Sequence, residues 1–290
     1  MKVQILTVPY DSGHRSARMG NGPAHLIQHG LENALRELGH EVLIKTIEIS
    51  NSFPTEAGTS FRLYRLLAEH IRRAIGTGWW PLVLAGNCGS TLGALAGIGH
   101  TGTGLVWFDS HGDFNTPETT SSGFLDGMAL AVATGRCWRT LAATIPGFQA
   151  LPENVVVHVG GRDFDTAELA MMEQSQMHLV RADSMRQQGI EAALSPALAE
   201  LEQQMIRKIY IQLDLDVLDP VLTPANSYAA PGGLSADQVM EAIQLIGKHF
   251  EIVGASITAF DPSCDRDGLT TQAGLRLITN IIRFSAMHRD

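Results

Sequence analysis

Disulfide bonds, an excess of positive charge and membrane-spanning runs are scarce or missing in this sequence. Its three cysteines, Cys88, Cys137 and Cys264, are odd in number and scattered along the chain. No disulfide framework is therefore expected, and a reducing compartment, the cytoplasm, is the expected location. Positive charge is short as well: 21 basic residues stand against 30 acidic ones, a formal net charge of -9. Affinity for nucleic acid comes largely from neutralising phosphates, so nucleic acid is not expected as a partner. Between Ala74 and Phe108 there is no Asp, Glu, Lys or Arg, but Pro81, Asn87 and repeated glycines interrupt the stretch. No unbroken apolar run approaches the roughly 20 residues of a spanning helix, so no membrane is expected. The segment Met1 to Pro9 reads as a short strand and lacks the apolar core and cleavage site of a signal peptide. Linkers, repeats and low-complexity segments are also missing, which predicts a single domain over residues 1–290.

What the chain does have is a 44% share of hydrophobic residues over 290 positions, enough apolar surface to offset the entropy of ordering a chain of this size. Short Val/Ile/Leu-rich runs alternate with longer amphipathic ones. Strands are predicted at Val3 to Val8, Glu41 to Ile47, Leu82 to Ala85, Gly104 to Asp109, Asn154 to Gly160, Met177 to Val180, Lys208 to Asp214 and Ile252 to Phe260. Several are apolar throughout, as strands covered on both faces must be. Helices are predicted near Pro23 to Leu38, Ser60 to Ile75, Phe124 to Thr134, Asp165 to Gln174, Asp183 to Gln203, Ala236 to His249 and Leu269 to Met287. The alternation predicts an α/β fold with a mainly parallel sheet.

The chemistry gathers where strands end. Asp109, His111 and Asp113 occupy alternate positions just past an apolar run, and Asp214 and Asp216 repeat the device at the end of another. If the backbone stays extended there, alternate side chains share a face and converge. Either motif alone is ordinary for a strand-to-helix turn, because Asp commonly caps the following helix. Together they collect carboxylates that repel one another unless a cation sits between them, and crevices beyond the carboxyl ends of strands are where this architecture binds ligands. Hard oxygen donors with imidazole suit manganese or magnesium, with zinc and iron as alternatives.

These residues carry a resemblance. Asp109 to Pro117 resembles the Asp-x-His-x-Asp-x-Asn-Thr-Pro signature of the arginase or ureohydrolase family, and Asp214 to Pro220 with Thr223-Pro224 resembles its Asp-x-Asp-x-x-Asp-Pro signature. Ala85 to Gly89 stands where that family has Gly-Gly-Asp-His-Ser. The resemblance implies a three-layer α/β/α sandwich around a mainly parallel eight-stranded sheet. It implies two manganese ions per chain, with Asp109 and Asp214 bridging, Asp113 and Cys88 on the first ion, and His111 and Asp216 on the second. It also implies hydrolysis of a linear C–N bond in a guanidino or amidino compound, a small molecule, by a water that the two cations activate. Asp113 is then expected to accept the proton and Asp126, where arginases have a proton-shuttling histidine, to pass it on. Asn115, Thr120 and Ser122 match positions that hold the α-carboxylate of arginine, and Asp165 and Glu168 match those near its α-amino group. An amino-acid-like substrate and a homo-oligomer are expected.

Four positions depart from the family pattern, the proton-shuttle position Asp126 among them. Cys88 replaces a histidine ligand, and a thiolate there shifts preference toward softer metals. Phe124 stands where arginases have an amide. Ala259 stands where the family carries a glutamate that pairs with the guanidinium group; Asp126 and Asp261 are the candidates to replace it. The changes at Cys88, Asp126 and Ala259 leave a second reading, a non-catalytic arginase-like protein that binds metal or a small ligand.

Overall fold

The computed structural model describes residues 1–50, 53–99 and 101–287; the last three residues of the expected domain lie outside them. Eight parallel strands form one sheet: β1 (Lys2–Val8), β2 (Glu41–Thr46), β3 (Trp80–Ala85), β4 (Thr103–Phe108), β5 (Val156–Val159), β6 (His178–Val180), β7 (Lys208–Asp214) and β8 (Glu251–Thr258). Their order across the sheet is β2-β1-β3-β8-β7-β4-β5-β6. Each predicted strand is present, with no end shifted by more than two residues. The middle of the sheet is apolar on both sides: β3 and β4 are buried at every position, and so is β7 after its first residue. Helices on the flanks cover it.

Two of the predicted helices are each broken into a pair. The first divides into Gly22–Gln28 and Leu31–Glu37 around Gly30 at φ 99°, and the second into Ala182–Gln188 and Ile190–Gln203 around Gly189 at φ 89°. Both glycines hold a conformation that an α-helix cannot continue and that other residues rarely adopt. The helix expected from Phe124 shrinks to a 3-10 turn, Asp126–Met128, followed by Ala129–Ala133, because the residues before it are committed to local turns. Among the described residues, two α-helices have no counterpart among the predicted ones, the single turn Arg139–Ala142 and the longer Ser90–Ile98. The latter is apolar on all sides and buried over Ser90 to Gly97, so it has no amphipathic period to read.

The strand order creates the crevice. Consecutive strands β3 and β4 are separated in the sheet by β8 and β7, so connections leave the centre in opposite directions and open a gap at the carboxyl ends. Register sets the depth: Phe108 lies opposite Leu213, and Thr258 opposite Asp214. The residues that follow β4, end β7 and end β8 therefore emerge at one level.

Candidate functional site

Asp109, Cys88, Asp214 and Asp216 are all at most 3% exposed at this level, and Asp113 is 7% exposed. They do converge, but not by extended alternation. Strand β4 ends at Phe108, and Asp113 has a left-handed backbone at φ 50°. The turn is held by Asp109, whose Oδ1 accepts the His111 N–H at 2.8 Å while its Oδ2 accepts Trp107 Nε1 at 3.0 Å. On β7, Asp214 caps a 3-10 turn, Leu215–Val217, by accepting the Asp216 N–H at 2.8 Å. Short polar side chains that bond to the backbone two residues on bring the groups together.

The donors fall into two overlapping clusters. Cys88, Asp109 and Asp113 place one ligand-type atom each within 4.8 Å of one another, and so do Asp109, His111 and Asp216. Asp109 belongs to both. Asp214 lies between them, accepting the Cys88 thiol at 2.9 Å through the oxygen not used for Asp216. Thr258 Oγ1 is 3.1 Å from the same sulfur. Burial and then neighbouring carboxylates raise the pKa of Asp109, Asp113 and Asp214 and of the Cys88 thiol. His111 is driven the other way from what burial alone would do: Asp216 and Asp109, 3.3 and 3.4 Å from Nδ1, hold it protonated. Burial works against an ionised Asp216 too, but His111 and the side chains of Ser110 and Asn226 outweigh it and pull its pKa down. Without a metal, the neighbouring carboxylates thus favour the charged imidazole of His111. Asp113 Oδ2 is buried with no hydrogen-bond partner. An orphaned carboxyl oxygen, a hard oxygen-rich donor set and a shared aspartate fit a pair of divalent cations.

Asp126 lies beside this cluster under the turn that carries Cys88. It accepts Asn87 Nδ2 at 2.8 Å, the Cys88 N–H at 3.0 Å and the Gly89 N–H at 2.8 Å. Burial pushes its pKa up to about 7 despite those donors. The turn itself needs Gly86, since a Cβ there would lie 2.2 Å from the Tyr10 carbonyl oxygen. Glu168 is likewise pushed up to about 7 by burial, although it accepts the Phe114 N–H at 2.8 Å and the Asp165 N–H at 3.2 Å. It supports the ligand-bearing loop from below and forms a capping box with Asp165 at the start of Thr166–Glu173. Both carboxyls have folded pKa values above their unfolded ones, so their stabilising effect is full below about pH 4 and is lost as pH rises toward 7. Metal-free protein is accordingly expected to melt at a higher temperature at pH 5 than at pH 7.5. A melting temperature that rises over this interval would contradict the assignment.

A cavity of about 200 Å³ opens above the cluster, lined among others by Cys88, His111, Asp113, Asn115, Phe124, Asp126, Asp165, Glu168, Tyr228 and Ala259. Thr120 and Ser122 are not in its wall. Their hydroxyls accept the Gly123 and Phe124 N–H groups in the loop outside. Asn115 is in the wall but bonded at both ends of its amide, to Asp165 and to Thr119. Asp261 turns away and accepts from Ser263.

Several residues that organise the site escaped the sequence reading. Asn226 Nδ2 bonds both Asp216 Oδ2 at 3.2 Å and the Ala259 carbonyl at 2.8 Å; its place two residues after Thr223-Pro224 was the available signal. Buried His158 sets Nε2 2.7 Å from the His111 carbonyl. Arg162 donates to five carbonyls, those of Gly160, Asp216, Val217, Leu218 and Ala230, at 2.8 to 3.2 Å. Removing such a charged donor leaves the acceptors of a tightly turned loop without partners. Arg162→Met is expected to cost about 3 kcal/mol and to lower the melting temperature by roughly 5–10 °C. A shift under about 1 °C would mean that water satisfies these carbonyls equally well.

A sequence model described as the arginase family matches residues 1–283. The chain is 26% identical to an arginase of Staphylococcus aureus (strain MRSA252), over 95% of both chains, and 27% identical to an arginase of Bacillus subtilis (strain 168), over 97% of both. Its fold superposes on the crystal structure of arginase from Bacillus cereus with a TM-score of 0.88, at 25% identity and over 97% of this chain and 98% of that one.

Proposed function

From the chain's membership of the arginase family, we propose that this protein is a binuclear metal-dependent hydrolase that cleaves a linear C–N bond in a guanidino or amidino compound. The observation that carries the reading is the pair of buried donor clusters sharing Asp109. Cys88, Asp109, Asp113 and Asp214 would hold one cation, and Asp109, His111, Asp214 and Asp216 the other. When bound there, two cations, manganese in the first instance, would supply Lewis acidity to the reacting group and lower the pKa of a water toward neutrality. Asp113 would accept the proton, and Asp126, buried beneath the turn that carries Cys88, would pass it outward. The cavity encloses the reaction, while the carboxylates of Asp165 and Asp163 in its wall face the ammonium group of an amino-acid-like substrate. Glu168 keeps Asp165 in place through the capping box, and Asn115 orients it through a 3.0 Å bond. Thr120 and Ser122 shape the loop at the entrance, within reach of a longer substrate. The catalyst acts in the cytoplasm, as a homo-oligomer of single-domain chains.

A urea-release screen over arginine, hydroxyarginine, agmatine and guanidino acids, with manganese added, tests the reading. Release from one of them supports it. A protein that holds manganese and releases nothing from these or from simple amidines supports the binding protein that Cys88, Asp126 and Ala259 also suit. Cys88 is the residue to interrogate for metal choice. Cys88→His is expected to tighten manganese at the first position by about tenfold relative to zinc, since imidazole is a harder donor than thiolate. Unchanged affinity and order of preference would reduce Cys88 to packing.

A further inference from the structure

Two aromatic rings stand at the mouth of the cavity, where a small polar solute has no need of them. Phe124 and Tyr228 lie with ring centroids 5.8 Å apart and planes inclined by 29°, an offset stack, and both line the cavity. Tyr228 is 46% exposed, so apolar surface is left open to water at a cost that a ligand covering it would recover. Tyr228 is held in place at its backbone and at its hydroxyl. The Tyr228 N–H donates to Asn226 Oδ1 at 2.8 Å, its carbonyl is 3.2 Å from His111 Nε2, and its hydroxyl accepts Arg18 Nη1 at 3.4 Å. Asn226 bonds Asp216 in turn, which ties the ring to the donor cluster through one intervening side chain.

The polar groups nearby are already committed. The Asn115 amide is used by Asp165 and Thr119, the Thr120 hydroxyl by Gly123 and the Ser122 hydroxyl by Phe124. Neither Lys nor Arg lines the cavity among the described residues, and Arg18, at the Tyr228 hydroxyl, is already paired with Asp11 at 2.8 Å, so a free carboxylate arriving at the mouth meets few unspent donors. A flat apolar group meets two stacked rings.

Resting on the reading of the site as an amidino hydrolase, we propose that Phe124 and Tyr228 form a subsite for a planar apolar substituent, so that the preferred substrate is a guanidino or amidino compound bearing an aromatic or unsaturated group. The subsite selects by stacking and by removal of apolar area from water, both of which scale with ring contact. It acts on binding and leaves the reacting atoms to the groups below.

Calorimetric titration of the manganese-loaded protein separates the subsite from the chemistry. Benzamidine and acetamidine share a head group and differ in the ring; benzamide and acetamide repeat the comparison without charge. Benzamidine is expected to bind about tenfold more tightly than acetamidine. Phe124→Asn and Tyr228→Leu, each checked for an unchanged melting profile, are each expected to shrink that ratio to about threefold or less while acetamidine binding holds. Equal affinity of the two amidines, a preference that survives both substitutions, or no aryl binding by any probe overturns the proposal. Benzamide preferred over acetamide, with neither amidine bound, upholds the aromatic subsite and defeats the amidino reading on which its substrate class rests.

Discussion

Asp109→Ala is expected to strip the protein of its divalent cations and to lower hydrolysis by more than about a hundredfold. Changes beyond the direct donors of a metal typically cost 10- to 100-fold in affinity or activity, and Asp109 is the one residue common to both clusters. The substitution removes negative charge from both at once. It also leaves Trp107 Nε1 and the His111 N–H without their acceptor, so the turn that presents His111 loosens. The fold itself should tolerate the change when metal-free, because one of several mutually repelling buried carboxyls has gone. Elemental analysis after manganese reconstitution, alongside a melting curve with and without chelator, reads both effects. A variant that retains its manganese and its turnover would show that Asp109 is not shared.

Arginine is expected to be a poor substrate, by about a hundredfold or more in kcat/KM relative to the best guanidino or amidino compound the screen finds. Leaving a buried charge without its partner typically costs 3–5 kcal/mol, and the wall offers the guanidinium group a methyl at Ala259. The substitutes are engaged elsewhere: Asp126 by three donors and Asp261 by Ser263. Ala259→Glu is expected to raise arginine turnover by at least about tenfold. The backbone already carries a Cβ there at φ 58°, so the longer side chain adds little new strain. Steady-state kinetics on both proteins checks this. Efficient hydrolysis of arginine by the unaltered chain would mean that another acid reaches the guanidinium, with Asp126 and the cavity-lining Asp163 the first to test.

The legible parts of this protein were those set by local pattern. Apolar runs such as the one within Lys208 to Asp214 marked the strands because a buried parallel strand needs no alternation, and the two aspartate motifs marked the carboxyl ends because, although one alone is ordinary in a strand-to-helix turn, two together gather like charges that need a cation. The Ser90–Ile98 helix was illegible for the same reason: uniform burial removes the period. The motifs also suggested the wrong local geometry. Asp109 to Asp113 converges through a side-chain-capped turn and a left-handed Asp113, a conformation that residue spacing does not encode. Least legible were Arg162, Asn226 and His158, whose partners lie 2 to 68 positions away in sequence. Each looks ordinary in its own window and acquires its role only when the loops after β4, β5 and β7 meet.

That meeting has a consequence for how the site comes into being during synthesis. Cys88, Asp109, His111 and Asp113 belong to the first half of the chain, and Asp214 and Asp216 to the second. In the finished sheet β3 and β4 are both flanked by strands from the second half, β8 and β7. A ribosome that has released only the first half therefore exposes a cluster of acids with no Asp214 to complete either position and no β7 to space them. Contacts between segments so distant in sequence form late. On the proposed reading, cation uptake is expected only after release of the whole chain, and a product truncated before β7 is expected to hold no manganese.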